Sequence, residues 1–452
     1  MTINLASIYV MLVLDSLPLI RRLHNDGVIN LFRKGDRFMD WINAIHAAGL
    51  SDVYALDLNR ANPTYGPLTY LLLRPLAHLS LAAGGRMGLE AEQALRLIGS
   101  VSWLLVAAGC LLFTALIASV AQRCQYRVPL RECLFRYPIQ GLNLQLILIS
   151  FPIVFAFDRG NIELVMLPLV SCYVYGVCHG IRAPSWRLTG QIPGLLLLAM
   201  AASMKPYLLA FALFNPYSAS SRLSRSNGLK SLAWVGLTAL ISLSLVLLSL
   251  ALLQHGNPGM GGYTAALSNY HQIYSMQGAG DQWYLSPYTA LRILLTDRTS
   301  LLSLNGFTQL YQVLAAVLGI LLLTCALRLQ AAWKLRAIVT LTCVCLMIIL
   351  FPGLANEYKA IYFIIPLLMG LQLGRGFEGI AGRTRQLLIS SLALCMFISL
   401  NRYGLLGDVR KTSALSALAV GGFSLLLLLL GWPCLELGKL AMARLPKSAE
   451  RS

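Results

Sequence analysis

The chain has 452 residues, of which 57% are hydrophobic and 12% charged, and lysine plus arginine exceed aspartate plus glutamate by 18. Its mean hydropathy of +0.68 lies outside the range of soluble globular domains, which excludes a soluble enzyme or binding module. The positive charge sits in short loops between apolar segments, where it orients a membrane protein, so a nucleic-acid-binding function is excluded as well.

Apolar runs recur along the chain, and each is long enough to cross a hydrocarbon layer of about 30 Å as an α-helix. We therefore predict an all-α, polytopic transmembrane bundle of about 12 spans, forming a single domain over residues 1–452. The first run lacks a basic leader and a small-residue cleavage site, so we expect it to stay in the membrane. The predicted spans lie near residues 3–20, 97–121, 142–157, 162–178, 191–204, 206–217, 231–254, 306–327, 337–352, 360–374, 386–400 and 413–433.

Six basic clusters fall in loops that the positive-inside rule places in the cytoplasm. They cover residues 123–136, 182–187, 222–230, 328–336, 375–385 and 439–451. The opposite face then receives two long loops, 21–96 and 255–305, together with most of the acidic residues. We therefore expect any acid–base chemistry on the outer face.

Two apolar segments fit this topology only in a modified form. Residues 191–217 lie between two basic loops, so we expect them to cross and return as two short half-helices, with Lys205 at the outer tip. The segment from Tyr65 to His78 is predicted to be a short helix in the outer interface, with Arg74 and His78 directed towards lipid headgroups.

Four short stretches in the first half of the chain carry acids, cations and prolines near the ends of predicted spans. They are Gly35-Asp36-Arg37-Phe38-Met39-Asp40 with Val53-Tyr54, Tyr65-Gly66-Pro67-Leu68 with Leu73-Arg74-Pro75-Leu76, Asp158-Arg159-Gly160-Asn161, and Ala202-Ser203-Met204-Lys205-Pro206. In this order they resemble motifs of the polyprenol-phosphate-mannose-dependent mannosyltransferases of the GT-C class, the group containing the mycobacterial phosphatidylinositol mannoside enzymes. The chain departs from the family's Tyr-Pro-Pro-Leu pattern at Gly66, and a late outer turn that often bears histidine reads Asn356-Glu357-Tyr358-Lys359.

The resemblance implies a bacterial inner-membrane glycosyltransferase with outer interfacial helices in the first loop and an active site facing the periplasm or cell exterior. The implied reaction moves a hexose, with mannose the first choice, from a polyprenyl-phosphate donor to a lipid or glycan acceptor, with inversion at the anomeric carbon. Membrane lipids are further partners, and no nucleic acid is expected. No cofactor or metal ligand set is predicted, and a divalent cation is left open.

Asp36 is the predicted general base, because a carboxylate at the partly desolvated lip of a membrane cavity can take a proton from an acceptor hydroxyl. Asp40 lies one helical turn further on and is the reserve candidate. The alternative for Asp36 is an ordinary solvated acid paired with Arg33 or Arg37.

Lys205, Arg159 and Lys359 are predicted to hold the donor phosphate, because each is a cation in a short turn at the end of a span. Each also has a structural alternative. Lys205 could simply snorkel to the surface, Arg159 could pair with Asp158, and Lys359 could pair with Glu357.

Substrate contacts are predicted at Tyr65, Asp158, Asn161, Glu163, His271 and Glu357. Glu163 begins an apolar segment, where a carboxylate is costly unless it pairs or faces a wet cavity. His271 belongs to an aromatic stretch of the second outer loop, which would serve equally as an interfacial anchor. The rival interpretation of the whole chain is a multi-pass lipid or sugar transporter or flippase without transferase activity.

Overall fold

The computed structural model describes residues 38–54, 65–126, 151–182, 191–220, 225–253, 259–273, 287–298, 302–328, 333–350 and 357–372. Within these ranges the chain is helical and has no β-strand, which confirms the predicted helical class. The predicted spans near 3–20, 386–400 and 413–433 lie outside the described residues, so the number of spans stays a prediction. Asp36 also lies outside them.

The described α-helices are, in chain order, α1 (Met39–Ala48), α2 (Pro67–Met87), α3 (Ala91–Tyr126), α4 (Phe151–Arg159), α5 (Glu163–Arg182), α6 (Ile192–Met204), α7 (Pro216–Ser220), α8 (Arg225–Leu253), α9 (Gly259–His271), α10 (Pro287–Arg292), α11 (Leu304–Arg328), α12 (Trp333–Leu350) and α13 (Ile364–Gln372). Pro206–Leu213 and Glu357–Phe363 are 3₁₀ helices, and Ile293–Arg298 continues α10 as a π-helix.

Three of the described helices contain stretches long and apolar enough to cross a membrane. These stretches are Ala91–Thr114 in α3, Asn227–Leu253 in α8 and Leu304–Leu327 in α11. Their outward faces expose large aliphatic side chains, such as Leu105, Leu240 and Ile320. Continuous apolar surface of this kind suits contact with lipid tails and would be a liability in water.

Shorter apolar helices form the interior behind these long ones. Helix α6 packs against α5 and α8, while α12 packs against α11 and the 3₁₀ helix Pro206–Leu213. Cys343 and Cys345 are fully buried in α12, as expected for residues that fill a helix interface. An α-helix that is apolar on all sides needs such enclosure.

The predicted pair of half-helices at residues 191–217 is only partly correct. Helix α6 ends at Met204, Lys205 has an extended backbone, and Pro206 begins a 3₁₀ helix where a second α half-helix was predicted. Proline lacks the amide N–H that would continue α6, which explains the break. Snorkelling of Lys205 is wrong, because its side chain is only 10% exposed and turns inward.

Helix α2 is longer than the short interfacial helix predicted for this segment. It runs from Pro67, which suits the first helical position, to Met87, and it tolerates Pro75 in its interior. Its buried positions, among them Leu73, Ala77 and Ser80, recur at the three- and four-residue spacing of one helix face. Gly84, Gly85 and Arg86 near its end are typical of a loop, so the last turns of α2 were not predicted from the sequence.

Candidate functional site

Gly160 forms the tight turn between α4 and α5 with a positive φ of 69°. The Asn161 N–H donates to the Ala156 carbonyl at 2.8 Å, and the Gly160 N–H donates to the Phe157 carbonyl at 3.2 Å. These two bonds are the Schellman pattern that ends a helix at a left-handed glycine. A Cβ at residue 160 would lie 2.8 Å from the Phe38 Cα, so glycine is also required for the close approach of that segment.

Phe38 fixes the start of α1 on this turn. Its N–H donates to the Asp158 carbonyl at 2.7 Å, and its own φ of 58° is left-handed, a conformation that is rare for a bulky residue. The Trp41 indole donates to Ser102 Oγ at 3.1 Å and holds α1 against α3. Asp40 is thereby placed beside the turn.

Asp40 is the shared partner of Arg159 and Asn161, and we call these three residues the Asp40 cluster. Arg159 Nη2 lies 3.1 Å from Asp40 Oδ1, and Asn161 Nδ2 donates to Asp40 Oδ2 at 2.7 Å. The side chains of Asp40 and Arg159 are 20% and 28% exposed, so this ion pair is accessible from outside the fold. Asn161 Oδ1 also accepts the Glu163 N–H at 3.1 Å, which joins the Asp40 cluster to the first residue of α5.

Glu163 is fully buried and gathers partners from two distant segments. The hydroxyl groups of Tyr207 and Tyr362 each donate to one of its carboxylate oxygens. Lys205 Nζ lies 3.6 Å from Glu163 Oε1. These partners, together with the favourable N-terminus of α5, offset part of the desolvation cost of a buried carboxylate.

Lys359 brings a second buried cation to the same place. Its ammonium nitrogen lies 4.3 Å from the centroid of the Tyr207 ring, and that of Lys205 lies 4.4 Å from the centroid of the Tyr65 ring. Burial lowers the pKa of Lys359 below its ordinary value, the charge of Glu163 opposes this shift, and the charge of Lys205 adds to it. We call Glu163, Lys205, Tyr207, Lys359 and Tyr362 the Glu163 cluster.

A close contact between the start of α2 and the end of α6 places Tyr65 against Lys205. The Gly66 N–H donates to the Met204 carbonyl at 2.8 Å, and a Cβ at residue 66 would lie only 1.8 Å from the Ser203 carbonyl oxygen. A proline at this position would have no N–H to donate and would collide with that oxygen. The departure of Gly66 from the Tyr-Pro-Pro-Leu pattern is therefore required by this packing.

Most of the predicted site residues meet in these contacts, although their catalytic roles stay predictions. The residues joined are Tyr65, Asp40, Arg159, Asn161, Glu163, Lys205 and Lys359, and Asp158 contributes its carbonyl group. The side chains of His271 and Glu357 lie outside the described part of the structure, as does Asp36. The pairing of Lys359 with Glu357 is therefore open.

Three side-chain contacts of the site were not predicted: one of Arg159 and two of Glu163. Arg159 pairs with Asp40, a partner on a different helix. Tyr207 and Tyr362 bond Glu163, yet nothing in the sequence separates them from other tyrosines in apolar segments. A buried carboxylate at residue 163 implies that donors must be present somewhere, but not which ones.

Among the described residues, no group of three or more His, Cys, Asp or Glu side chains is placed to hold a metal ion. Both clusters are instead built from carboxylates, cations, an amide and phenols, which suits proton transfer and the binding of an anion. No protein-family model and no curated protein sequence matches the chain, so the likeness to GT-C mannosyltransferases stays a prediction.

Proposed function

We propose that the protein is a membrane hexosyltransferase of the GT-C type, with about 12 spans, that uses a polyprenyl-phosphate sugar donor. The observation that carries the proposal is the link through Asn161 between the accessible Asp40 cluster and the buried Glu163 cluster. It joins carboxylates and cations from segments far apart in the chain. Glycosyl transfer from a lipid phosphate needs both kinds of group close together, a base for the acceptor and cations for the leaving phosphate.

In the proposed reaction the acceptor hydroxyl loses its proton to Asp36, with Asp40 in reserve, and its oxygen attacks the anomeric carbon. The bond from that carbon to the phosphate oxygen breaks, the electron pair stays on the phosphate, and the configuration inverts. Lys205 and Lys359 stabilise the negative charge that develops on the phosphate. Arg159, held by Asp40 at the accessible side, is placed to meet the phosphate or sugar from outside the fold.

The proposed setting is a bacterial inner membrane, with the site facing the periplasm or cell exterior. The donor's hydrocarbon tail would lie among the apolar helices, and a lipid or glycan acceptor would approach the exposed pair of Asp40 and Arg159. Mannose remains the first choice of sugar through the resemblance alone. No cofactor is part of the proposal.

The direct test supplies purified protein in liposomes with radiolabelled polyprenyl-phosphate-mannose and a membrane lipid extract. Transfer of label to an extractable acceptor is expected, and Asp36→Asn should reduce the rate by about 10²- to 10⁴-fold. Glu92→Gln is the matched control, because Glu92 is an exposed acid that pairs only locally with Arg96. If Asp40→Asn abolishes transfer while Asp36→Asn does not, Asp40 is the base; no transfer by folded wild-type protein refutes the proposal.

A lipid or sugar transporter is the second candidate, and the buried Glu163 favours it. Ionisable groups enclosed between helices, as Glu163, Lys205 and Lys359 are, also mark ion and proton pathways. Proteoliposomes separate the two functions. A transporter would move a labelled lipid-linked sugar between leaflets without breaking its phosphate bond, whereas a transferase would release the sugar-free polyprenyl phosphate.

A further inference from the structure

Glu163 connects the two cations of the Glu163 cluster. It contacts Lys205 directly at 3.6 Å. It reaches Lys359 through Tyr207, whose hydroxyl bonds the carboxylate while its ring lies 4.3 Å from the Lys359 ammonium. One carboxylate therefore fixes two ammonium groups that approach from different segments.

Stability alone does not account for a carboxylate in this position. Exchange of a buried ion pair for apolar side chains of similar volume is often neutral or stabilising, so such a pair is weak evidence for a purely structural role. The carboxylate can, however, fix the direction of the lysine side chains. Lysine side chains are long and flexible, and an ammonium group has three donors, so one contact to Glu163 orients Lys205 and leaves further donors for another acceptor.

We propose that Glu163 is a positioning residue, whose carboxylate holds Lys205, and through the Tyr207 ring Lys359, where both ammonium groups bind the phosphate of the lipid donor. This rests on the proposed function for the identity of the ligand. The cluster contains two cations and one anion, so it is suited to admit one further negative group. A lipid phosphate monoester or diester meets that requirement.

Positioning and simple charge balance predict opposite results when the carboxylate is removed. In Glu163→Gln the amide oxygen can still accept from one of the two tyrosine hydroxyls, Tyr207 or Tyr362, but the second acceptor oxygen and the negative charge are lost. If Glu163 acted only as a charge, the cluster would become more positive and would bind phosphate more tightly. If it positions the lysines, binding becomes weaker despite the more favourable net charge.

Removal of the carboxylate also changes the pH dependence of phosphate binding. Lys359 is influenced by the charges of Glu163 in α5 and of Lys205, which follows α6, and its ammonium group lies over the ring of Tyr207 in the 3₁₀ helix Pro206–Leu213. Tyr362, in the same 3₁₀ helix as Lys359, donates to Glu163. The Glu163 charge opposes the lowering of the Lys359 pKa by burial. Its removal therefore lets Lys359 lose its proton at a lower pH, so the alkaline decline of phosphate binding should move to lower pH.

The experiment measures the binding of a sugar-free polyprenyl phosphate to the purified full-length chain in detergent, across pH, alongside the transfer rate. The variants are Glu163→Gln and Glu163→Asp, with Glu92→Gln as the control for an exposed acid. Glu163→Gln should weaken binding and kcat/KM by about 10²-fold, the effect of misplacing a binding group by about 1 Å. It should also move the alkaline decline to lower pH, whereas Glu163→Asp should leave that decline near its wild-type pH.

The melting temperature of each variant shows whether it has folded, and Glu163→Asp supplies the measurement if the glutamine variant does not fold. Binding by Glu163→Gln that equals or exceeds that of the wild type overturns the positioning role. A Glu163→Asp variant whose alkaline decline moves as far as that of the glutamine variant overturns it too. Tight phosphate binding by a wild-type chain that transfers no sugar refutes the proposed enzyme and leaves the positioning role supported.

Discussion

Substitution of Gly66 by alanine tests the contact that places Tyr65 against Lys205. The backbone of Gly66, with φ −64° and ψ 155°, is one that alanine adopts without strain, so any destabilisation must come from the collision. The added Cβ would lie 1.8 Å from the Ser203 carbonyl oxygen and 3.0 Å from the Met204 Cα. Because both are backbone atoms, no side-chain rotation can relieve the overlap.

The start of α2 and the end of α6 must separate by about 1.5 Å to restore an ordinary van der Waals distance. That movement would break the hydrogen bond of 2.8 Å from the Gly66 N–H to the Met204 carbonyl. Overpacking costs about 1–3 kcal/mol, and a lost hydrogen bond costs about 1 kcal/mol. Gly66→Ala should therefore be destabilised by about 2–4 kcal/mol, and it should also transfer sugar more slowly because Lys205 is displaced.

The assay compares melting temperatures of purified protein in detergent, with Gly85→Ala as the matched control. Gly85 lies in α2, the helix that Gly66 precedes, and a Cβ there meets no other atom within 4 Å. Alanine should stabilise that position by about 0.5–1 kcal/mol, because it lowers the entropy cost of helix formation. A Gly66→Ala protein that melts at or above the wild-type temperature would refute the contact between Gly66 and Ser203.

Three further changes test other parts of the site. Gly160→Ala should lower the melting temperature, because residue 160 is left-handed and its Cβ would lie 2.8 Å from the Phe38 Cα; a stability equal to that of the wild type would contradict the observed turn. Tyr362→Phe removes a donor to the buried Glu163 and should cost about 1.5–3 kcal/mol, measured by denaturation, whereas a neutral result would argue against that bond. Burial lowers the pKa of Lys359, so sugar transfer should decline with rising pH before an ordinary lysine would titrate. The melting temperature should rise with pH over the same window, because the unfolded chain there binds a proton that the folded chain has lost. Lys359→Met should show no such rise of the melting temperature.

Local signals in the sequence predicted the helices and the turns that carry the site. Proline after Lys205 predicted the end of α6, since it removes a helix donor, and the stretch from Asp158 to Asn161 marked a turn between two apolar segments. The long apolar runs likewise predicted α3, α8 and α11. Each of these features depends on residues that are close together in the chain.

The partners of the site residues could not be predicted in the same way, because they depend on packing between distant segments. Lys205 is a plausible snorkelling residue by its position near a span end, and only the presence of Glu163 beside it explains why it turns inward. Gly66 looked like a departure from a motif, but its role becomes clear only beside the Ser203 carbonyl. Tyrosine at residue 362 carries no mark of its role in the sequence.

The bond from Tyr362 to Glu163 spans 199 residues, and this separation has a consequence for biogenesis. While the ribosome is still making the middle of the chain, Glu163 has been synthesised but its second phenol donor does not yet exist. A carboxyl group at that stage is stabilised by taking up a proton or by keeping water around it. Final dehydration of the site therefore comes late, after the segment around Tyr362 has been made and packed, and chains truncated before that segment should be the ones that quality-control proteases remove.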